Sequence, residues 1–397
     1  MATQPEPPSL NGVQRRKLKR LLLDAWRNVP LYQALYEPLG LTERDFSDPG
    51  ILARLPILSK AELVATSVKE RVDSRFDVSS LILESTTGST GQPFSLYIDG
   101  RYRRRRNLRF LRGLVSAGYR PWHRMLLLTD RHPGFTRQHN RYYQSVEAPT
   151  ADILESYVKV RPQALYGFTT PLRLLAEHLL QNPQDFRGPR LVVSTAEMLD
   201  VSTRETLQDA FDCPVFDFYG MTEMGLVASQ RPGFEGYIMS GNAVLTELLP
   251  GDSRNGRYRT VMTNLDLRAS PIIRFDSGDL AFAENVDGEL RVMAFEGRSI
   301  DTIVRHDGTE LSPYRVTDAL RDIPGVRRFK VTQRRLDGVA VDLEVDPSLR
   351  KQAVERIRSI LSELLGGGVN LSFGFSENLV PDGTRKFRPV ESRVIRT

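Results

Sequence analysis

Short apolar runs of strand length alternate with helical patterns through the middle of the chain, and this alternation restricts the fold more than any other feature. "RMLLLTD" (124–130) is one such run; "ALYGFTT" (164–170) leads straight into the helical "PLRLLAEHLL", and "PRLVVSTAE" (189–197) precedes "STRETLQDAF". "CPVFDFYG" (213–220) is strand-like again, and upstream "LILEST" (81–86) and "FSLYID" (94–99) flank a turn rich in Ser, Thr and Gly. Parallel strands need a crossover connection, usually a helix, so this order predicts a parallel sheet covered by helices over about residues 81–236.

The flanks read differently. Residues 13–37, "VQRRKLKRLLLDAWRNVPLYQALYE", predict an amphipathic helix broken at Pro30, which lacks a donor and crowds the preceding turn. "LPILSKAEL" offers a helix start, with Ser59 as cap and Glu62 three positions on. After 237, "GYIMSG", "NAVLTELL", "GRYRTVMTN" and "GELRVMAF" are short runs separated by Gly, Asn and Asp, an antiparallel flavour. Near the C-terminus "VRRFKVTQRR" and "GVAVDLEVD" read as paired strands, "SLRKQAVERIRSILSELLGGG" as a helix ended by glycines, and "VNLSFGFSENL" as a strand. The expected class is α/β, with two domains. Residues 1–300 comprise a helical segment (about 13–75), the α/β core (about 81–236) and a β-rich part (about 237–300), and residues 301–397 form a small α+β domain.

A chain of 397 residues can bury cores of this number. Cys213 is the single cysteine, so neither an internal disulfide nor a CxxC metal knuckle can form, which fits a reducing compartment and a cytoplasmic location. "MATQPEPPSL" has no apolar export segment and no stretch approaches a membrane span, so neither export nor membrane association is expected. The net charge of +6 is concentrated in "RYRRRRNLRFLRG", with Arg101, Arg103, Arg104, Arg105, Arg106, Arg109 and Arg112 close together. This block reads either as a solvated helix face, with Leu108, Leu111 and Leu114/Val115 turned inward, or as a grip for an acidic carrier or a phosphorylated cofactor. No aromatic platform accompanies it, so nucleic acid is not an expected partner.

"STTGSTGQP" (85–93) carries the first chemical signal. A Walker loop needs a lysine after its last glycine, and here Gly91 is followed by Gln92. Backbone N–H groups freed by Gly88 and Gly91, with the neighbouring hydroxyls, can still form an anion-binding concavity. Four further stretches follow in order. "DFYGMTEMG" (217–225) sets Tyr219 four residues before Glu223, and "RFDSGDLA" (274–281) sets Asp279 behind a glycine. "EGRSID" (296–301) holds Arg298 and Asp301, and "DGTRKFRPV" (382–390) holds Lys386. An aromatic face, a carboxylate for Mg²⁺, another for ribose hydroxyls and a nearby arginine are what ATP binding without Walker geometry requires. The histidines form no ligand cluster, and Ser89 lies in no G-x-S-x-G elbow, so neither a histidine-ligated metal centre nor a hydrolase triad is expected.

These five stretches, in this order, resemble the acyl-adenylate-forming superfamily of acyl-CoA ligases, adenylation domains and luciferases. "RNVPLYQALYEPLG…DPGILARLPILSKAEL" and "YGFTTPLRLLAEHL" are similar to its phenylacetate–CoA ligase and capsule-biosynthesis branch. The resemblance implies that Ser85, Thr86, Thr87, Gly88, Ser89, Thr90 and Gly91 lie over the ATP phosphates, with Phe94 where many relatives carry a lysine. It implies that Ala196, Glu197, Asp217, Phe218, Tyr219, Gly220 and Met221 surround the adenosine, with Asp217 at the adenine amino group and Tyr219 stacked on the ring. Thr222 then meets the α-phosphate, Glu223 holds Mg²⁺, and Asp279 and Arg298 bind ribose and its surroundings. Asp301 matches the hinge of a mobile C-terminal domain, and Lys386, with Arg385 as competitor, matches the lysine that bridges acyl carboxylate and α-phosphate. Tyr166, Gly167, Phe168, Ala196 and Met221 are the expected acyl pocket, suited to an aryl acid.

The implied activity is ATP-dependent formation of acyl-AMP, with pyrophosphate release, followed by transfer to a thiol. CoA is the first choice of acceptor; a carrier-protein phosphopantetheine or a small amine stays open, as does a paralogue that binds nucleotide without turnover. The branch also implies a homodimer.

Overall fold

The computed structural model describes residues 10–85, 94–130, 132, 134–183, 188–250, 256–287, 289–298, 301–366, 368–381 and 386–394. The chain divides into two compact units, residues 1–116 with 219–294 and residues 117–218 with 295–397.

In the first unit the helix Gly12–Asn28 starts at a capping box. The Asn11 side chain accepts the N–H groups of Val13 and Gln14, and the Gln14 side chain accepts the Asn11 N–H. It buries Leu18, Leu21, Leu22 and Ala25 at helical spacing and stops at Val29, after which Pro30 opens the helix Pro30–Tyr36. Tyr32 on that second helix donates its hydroxyl to the Pro271 carbonyl at 2.9 Å and accepts the Ile273 N–H at 3.0 Å. The N-terminal helices are thereby tied to the chain between the strands Arg257–Asn264 and Phe275–Val286 of the β-rich part. The expected Ser59–Glu62 capping box opens the helix Lys60–Ala65.

The strands Ile82–Ser85 and Ser95–Ile98 pair antiparallel in a sheet of their own. They belong to this unit, so the expectation that the parallel core begins at 81 is corrected. The β-rich part is antiparallel as expected, in the order Val244–Pro250, Arg257–Asn264, Phe275–Val286, Glu289–Arg298. Its third strand went unforeseen because "DSGD" reads as a turn. Gly278 takes φ +72°, and the pairing register shifts by a bulge between Arg259 and Val261, so the strand continues through it.

The second unit holds the parallel strands, in the order Val215–Met221 (which runs on into the first unit), Val192–Thr195, Ala164–Phe168, Met125–Thr129 and Arg141–Ser145. Thr136–Gln138 closes this edge antiparallel. The helices Thr150–Val160, Thr169–Gln181 and Val201–Phe211 bury Ile153, Leu172, Leu175 and Leu207 in a core with Leu126, Leu128 and Leu165. A second core belongs to the C-terminal segment. There Val326–Arg335 and Gly338–Val345 form the expected hairpin, flanked in parallel by Val390–Ser392 and Asn370–Phe375. The helix Arg350–Leu365 packs Ala353, Ile357, Leu361 and Leu365 against it and ends at Gly366, φ +81°. The α/β class and the small C-terminal α+β fold stand as expected. Among the described residues no helix is long and apolar enough to cross a membrane.

Gly167 shows how tightly the central strands meet their helices. A Cβ there would stand 2.8 Å from the Leu128 Cβ and 3.3 Å from the Leu172 Cγ. Gly167→Ala is therefore expected to destabilise the protein by about 1–3 kcal/mol through overpacking, read as a lower denaturant midpoint. An unchanged midpoint would contradict this packing.

Candidate active site

The carboxyl ends of the parallel strands bring several expected residues together. Register aligns Gly167 with Ser194 and Ser194 with Asp217, and one step on aligns Phe168 with Thr195 and Thr195 with Phe218. Hydroxyls lock this edge: Thr169 Oγ1 and Ser194 Oγ share a hydrogen bond of 2.7 Å, and Thr195 Oγ1 donates to the Phe218 carbonyl at 2.7 Å. In open α/β sheets ligands bind just beyond such strand ends. Asp217 is buried here. A Cβ at Gly167 would point at Leu128 and Leu172 in the core, so this residue can line a pocket only through its backbone.

Past Thr195 the chain turns sharply. Ala196 has φ +69°, a left-handed conformation that costs an alanine roughly 1 kcal/mol and concentrates at functional sites. The turn brings Glu197 onto the first turn of the helix Thr169–Gln181. Its Oε1 accepts the Thr170 N–H at 3.0 Å, and its Oε2 accepts the Thr170 hydroxyl at 2.5 Å and the Phe387 N–H at 2.9 Å. Burial raises the Glu197 pKa above the usual carboxylate range, opposed by these donors and by the charge of Lys386. The Lys386 Nζ lies 5.3 Å from the centre of the Phe168 ring. Lys386, Phe168 and Glu197 thus stand together, although Glu197 engages the C-terminal loop rather than facing only a nucleotide. Asp301 is buried and pairs with Arg388 at 3.3 Å.

The first unit gathers a second set. The Tyr219 hydroxyl donates to Asp279 Oδ2 at 2.5 Å, so the expected ring-stacking and ribose-binding residues are partners. Burial, then the Asp279 carboxylate, pushes the Tyr219 hydroxyl well above the usual phenol range. The Ser277 hydroxyl accepts the Asp279 N–H at 3.1 Å, and Thr260 donates to the Asp279 carbonyl at 2.9 Å, which fixes the bulge. Glu223 is 5% exposed, and its carbonyl accepts from Asn264 Nδ2 at 2.9 Å. Lys60 Nζ stands 3.9 Å from the Glu223 carboxylate. Sequence reasoning passed over this cation because Lys60 reads as the first residue of a capped helix. Phe94 is buried, with the Arg71 guanidinium 4.7 Å above its ring, so this position is core here.

The arginine block is corrected in part: Arg101, Arg103, Arg104, Arg105 and Arg112 are exposed, as a solvated face requires, but two arginines turn inward. It does form a helix, Gly100–Ser116, but Leu108 is 47% and Val115 40% exposed, whereas Tyr102, Arg106, Gly113 and Leu114 are buried. Arg106 makes a two-pronged ion pair with Glu84, one prong at 2.5 Å. Arg109 Nη2 donates to the Met224 carbonyl at 2.8 Å. Gly225, at φ +70°, admits this approach, since a Cβ would lie 2.8 Å from both Arg106 Cγ and Arg109 Nη2. One helix thereby braces the strand that leads to Ser85 and the turn that carries Glu223.

Thr86–Gly91 and Arg385 lie outside the described residues, as does the side chain of Arg298, which closes its strand. Ser85 ends its strand, Tyr166 is half-buried on the central one, and Met221 ends the strand that bears Asp217. Thr222 follows it in the turn before Glu223.

The model of the family described as "AMP-binding enzyme" matches residues 138–245. The chain has the fold of the adenylate-forming superfamily, with that AMP-binding segment inside it. It is 22% identical over 359 residues to Protein CapK of Staphylococcus aureus, covering 82% of this chain and 78% of that protein. Among solved structures, 2-hydroxyisobutyryl-CoA ligase, bound to an acyl-AMP in the postadenylation state, superposes with a TM-score of 0.77 at 18% identity, covering 96% of this chain and 89% of that one. The anthranilate CoA ligase AuaEII with anthranoyl-AMP gives 0.59 at 17%, covering 94% and 79%.

Arg106→Met strands a carboxylate that is 18% exposed. A loss of about 2–3 kcal/mol is expected, somewhat under that of a fully buried pair. Adding Glu84→Met should recover most of it in a double-mutant cycle; no recovery would show that Arg106 acts through something other than Glu84.

Proposed function

We propose that the protein is an AMP-forming acid–thiol ligase. The observation that carries this reading is the position of Lys386: a residue from the C-terminal segment stands beside Phe168 and Glu197, at the carboxyl ends of the parallel strands. In the first half-reaction a carboxylate oxygen attacks the α-phosphorus of ATP. An O–P bond forms to give acyl-AMP, the bond to the β-phosphate bridge breaks, and pyrophosphate leaves. In the second a thiol sulfur attacks the acyl carbon, AMP departs with the former carboxylate oxygen, and the thiol proton passes to solvent.

The first step drives an anion towards a polyanion, so its transition state needs fixed positive charge and donors. In this reading the Lys386 ammonium meets the carboxylate and the α-phosphate, and Thr222 meets the α-phosphate. Tyr219, held by Asp279, offers a ring face to adenine, and Lys60 adds a cation beside Glu223. Glu223 is a suitable Mg²⁺ ligand, because that ion is usually held by one or two carboxylates together with substrate phosphates; bound there, it would neutralise triphosphate charge. Tyr166 and Phe168 suit an aryl or aryl-like acid. CoA is the proposed acceptor, supported by the names of the solved relatives. Asp301 is the proposed hinge of a C-terminal domain that moves between the half-reactions.

The test is pyrophosphate–ATP exchange across a library of carboxylic acids, followed by transfer to CoA or to a phosphopantetheinylated carrier. Exchange that depends on an acid is expected; its absence with every acid would end the proposal. Lys386→Ala should lower the exchange rate about 10²–10³-fold while largely sparing transfer from preformed acyl-AMP. Equal loss in both halves would remove Lys386 from its role.

A further inference from the structure

We infer that Glu197 is the seat of the catalytic loop, a positioning residue that holds Lys386 where the first half-reaction needs it. The inference rests on the reading of Lys386 given above and adds a fixed anchor for that lysine.

Lys386 is exposed and has a long side chain with many rotamers, so where its ammonium stands depends on how the backbone beneath it is fixed. The neighbouring residue fixes that backbone. The Phe387 N–H points into a small polar node, 2.9 Å from Glu197 Oε2 and 3.0 Å from Thr170 Oγ1, while the Thr170 hydroxyl itself donates to Glu197. Three donors therefore converge on one carboxylate. Two come from the first turn of the helix Thr169–Gln181, whose dipole favours an anion there. The third comes from the C-terminal loop, and the Lys386 charge adds to it.

The left-handed backbone of Ala196 is what turns Glu197 back onto this helix. A conformation of that kind persists where the surroundings over-determine it. The chain departs from the strand end at this cost and reaches a carboxylate that meets the loop through the Phe387 backbone N–H. A backbone contact suits positioning, because it fixes the loop whatever side chain follows it. A second tie lies beside the node: Arg388 pairs with Asp301 at 3.3 Å, so the residues on either side of Phe387 are each drawn to an acid. If the loop has to leave between half-reactions, the Glu197 node is a contact that must open.

The test uses the full-length protein and two independent readouts. The first needs no substrate: amide hydrogen exchange at Phe387, followed by mass spectrometry with fragmentation. Glu197→Ala should speed that exchange at least about tenfold, the factor that accompanies loss of roughly 1.4 kcal/mol of protection. Glu197→Gln keeps an acceptor oxygen and should retain most of the protection. Glu197→Asp withdraws the charge by one methylene and serves if the alanine variant does not fold. The second readout is pyrophosphate–ATP exchange with the acid that gives the highest wild-type rate. Glu197→Ala should lower kcat with little change in the KM for ATP, and adding it to Lys386→Ala should cause little further loss, as expected of residues acting as one unit. Rescue by Glu197→Gln should follow the order of amide protection.

Unchanged Phe387 exchange in Glu197→Ala, or losses that simply multiply in the double variant, would overturn the inference. A rise in KM with kcat intact would also overturn it, because Glu197 would then be a nucleotide-binding group. Wild-type protein that shows no acid-dependent exchange would sink the proposed function, and the Phe387 amide would then decide by itself whether Glu197 holds the loop.

Discussion

A carboxylate partly withdrawn from water must be met by donors the fold holds in place, and around Glu197 that requirement joins the start of the helix Thr169–Gln181 to the C-terminal loop. The donors come from a helix start and from a loop distant in sequence, so one half-buried carboxyl group joins them. The helix is fixed by the strand that precedes it, and that strand by its parallel neighbours, whose hydroxyls close the same edge. The strain at Ala196 is tolerated because these contacts leave the chain no alternative path.

The first unit solves a related problem with the opposite charge. Arg106 and Arg109 are drawn inward, where Glu84 and the Met224 carbonyl receive them, and a glycine at Gly225 makes room. A buried ion pair of this kind contributes little net stability compared with a well-packed apolar pair, yet breaking it is costly. Its effect is to fix geometry. The strand end at Ser85 and the turn bearing Glu223 are both referred to one helix.

Much of this was legible because local chemistry and tertiary role agree. The Ser59–Glu62 box, the break at Pro30, the hairpin at 326–345 and the glycine after the helix Arg350–Leu365 all follow from short-range rules. The failures share one cause, in that tertiary partners reversed what local pattern suggested. Apolar spacing pointed Leu108, Leu111 and Leu114/Val115 inward, and Leu114 is buried, but Leu108 is exposed and the inward face also took Arg106 and Arg109, because it offered an acid and a carbonyl. "DSGD" has turn composition, but neighbouring strands and a Ser277–Thr260 hydroxyl contact carry it through as a bulge. Lys60 and the Glu197–Phe387 bond had no local signal, since each joins residues far apart in sequence. Tyr219 and Asp279 were each singled out by the sequence, but their hydrogen bond was not legible there.

The central claim is chemical: a carboxyl oxygen becomes bonded to the α-phosphorus. It is tested most directly by supplying the acid labelled with ¹⁸O in its carboxyl group, together with ATP and CoA, and locating the label after turnover. The account predicts one labelled oxygen in the phosphoryl group of AMP and none in pyrophosphate. Label in inorganic phosphate with ADP formed, or AMP released without label, would contradict it.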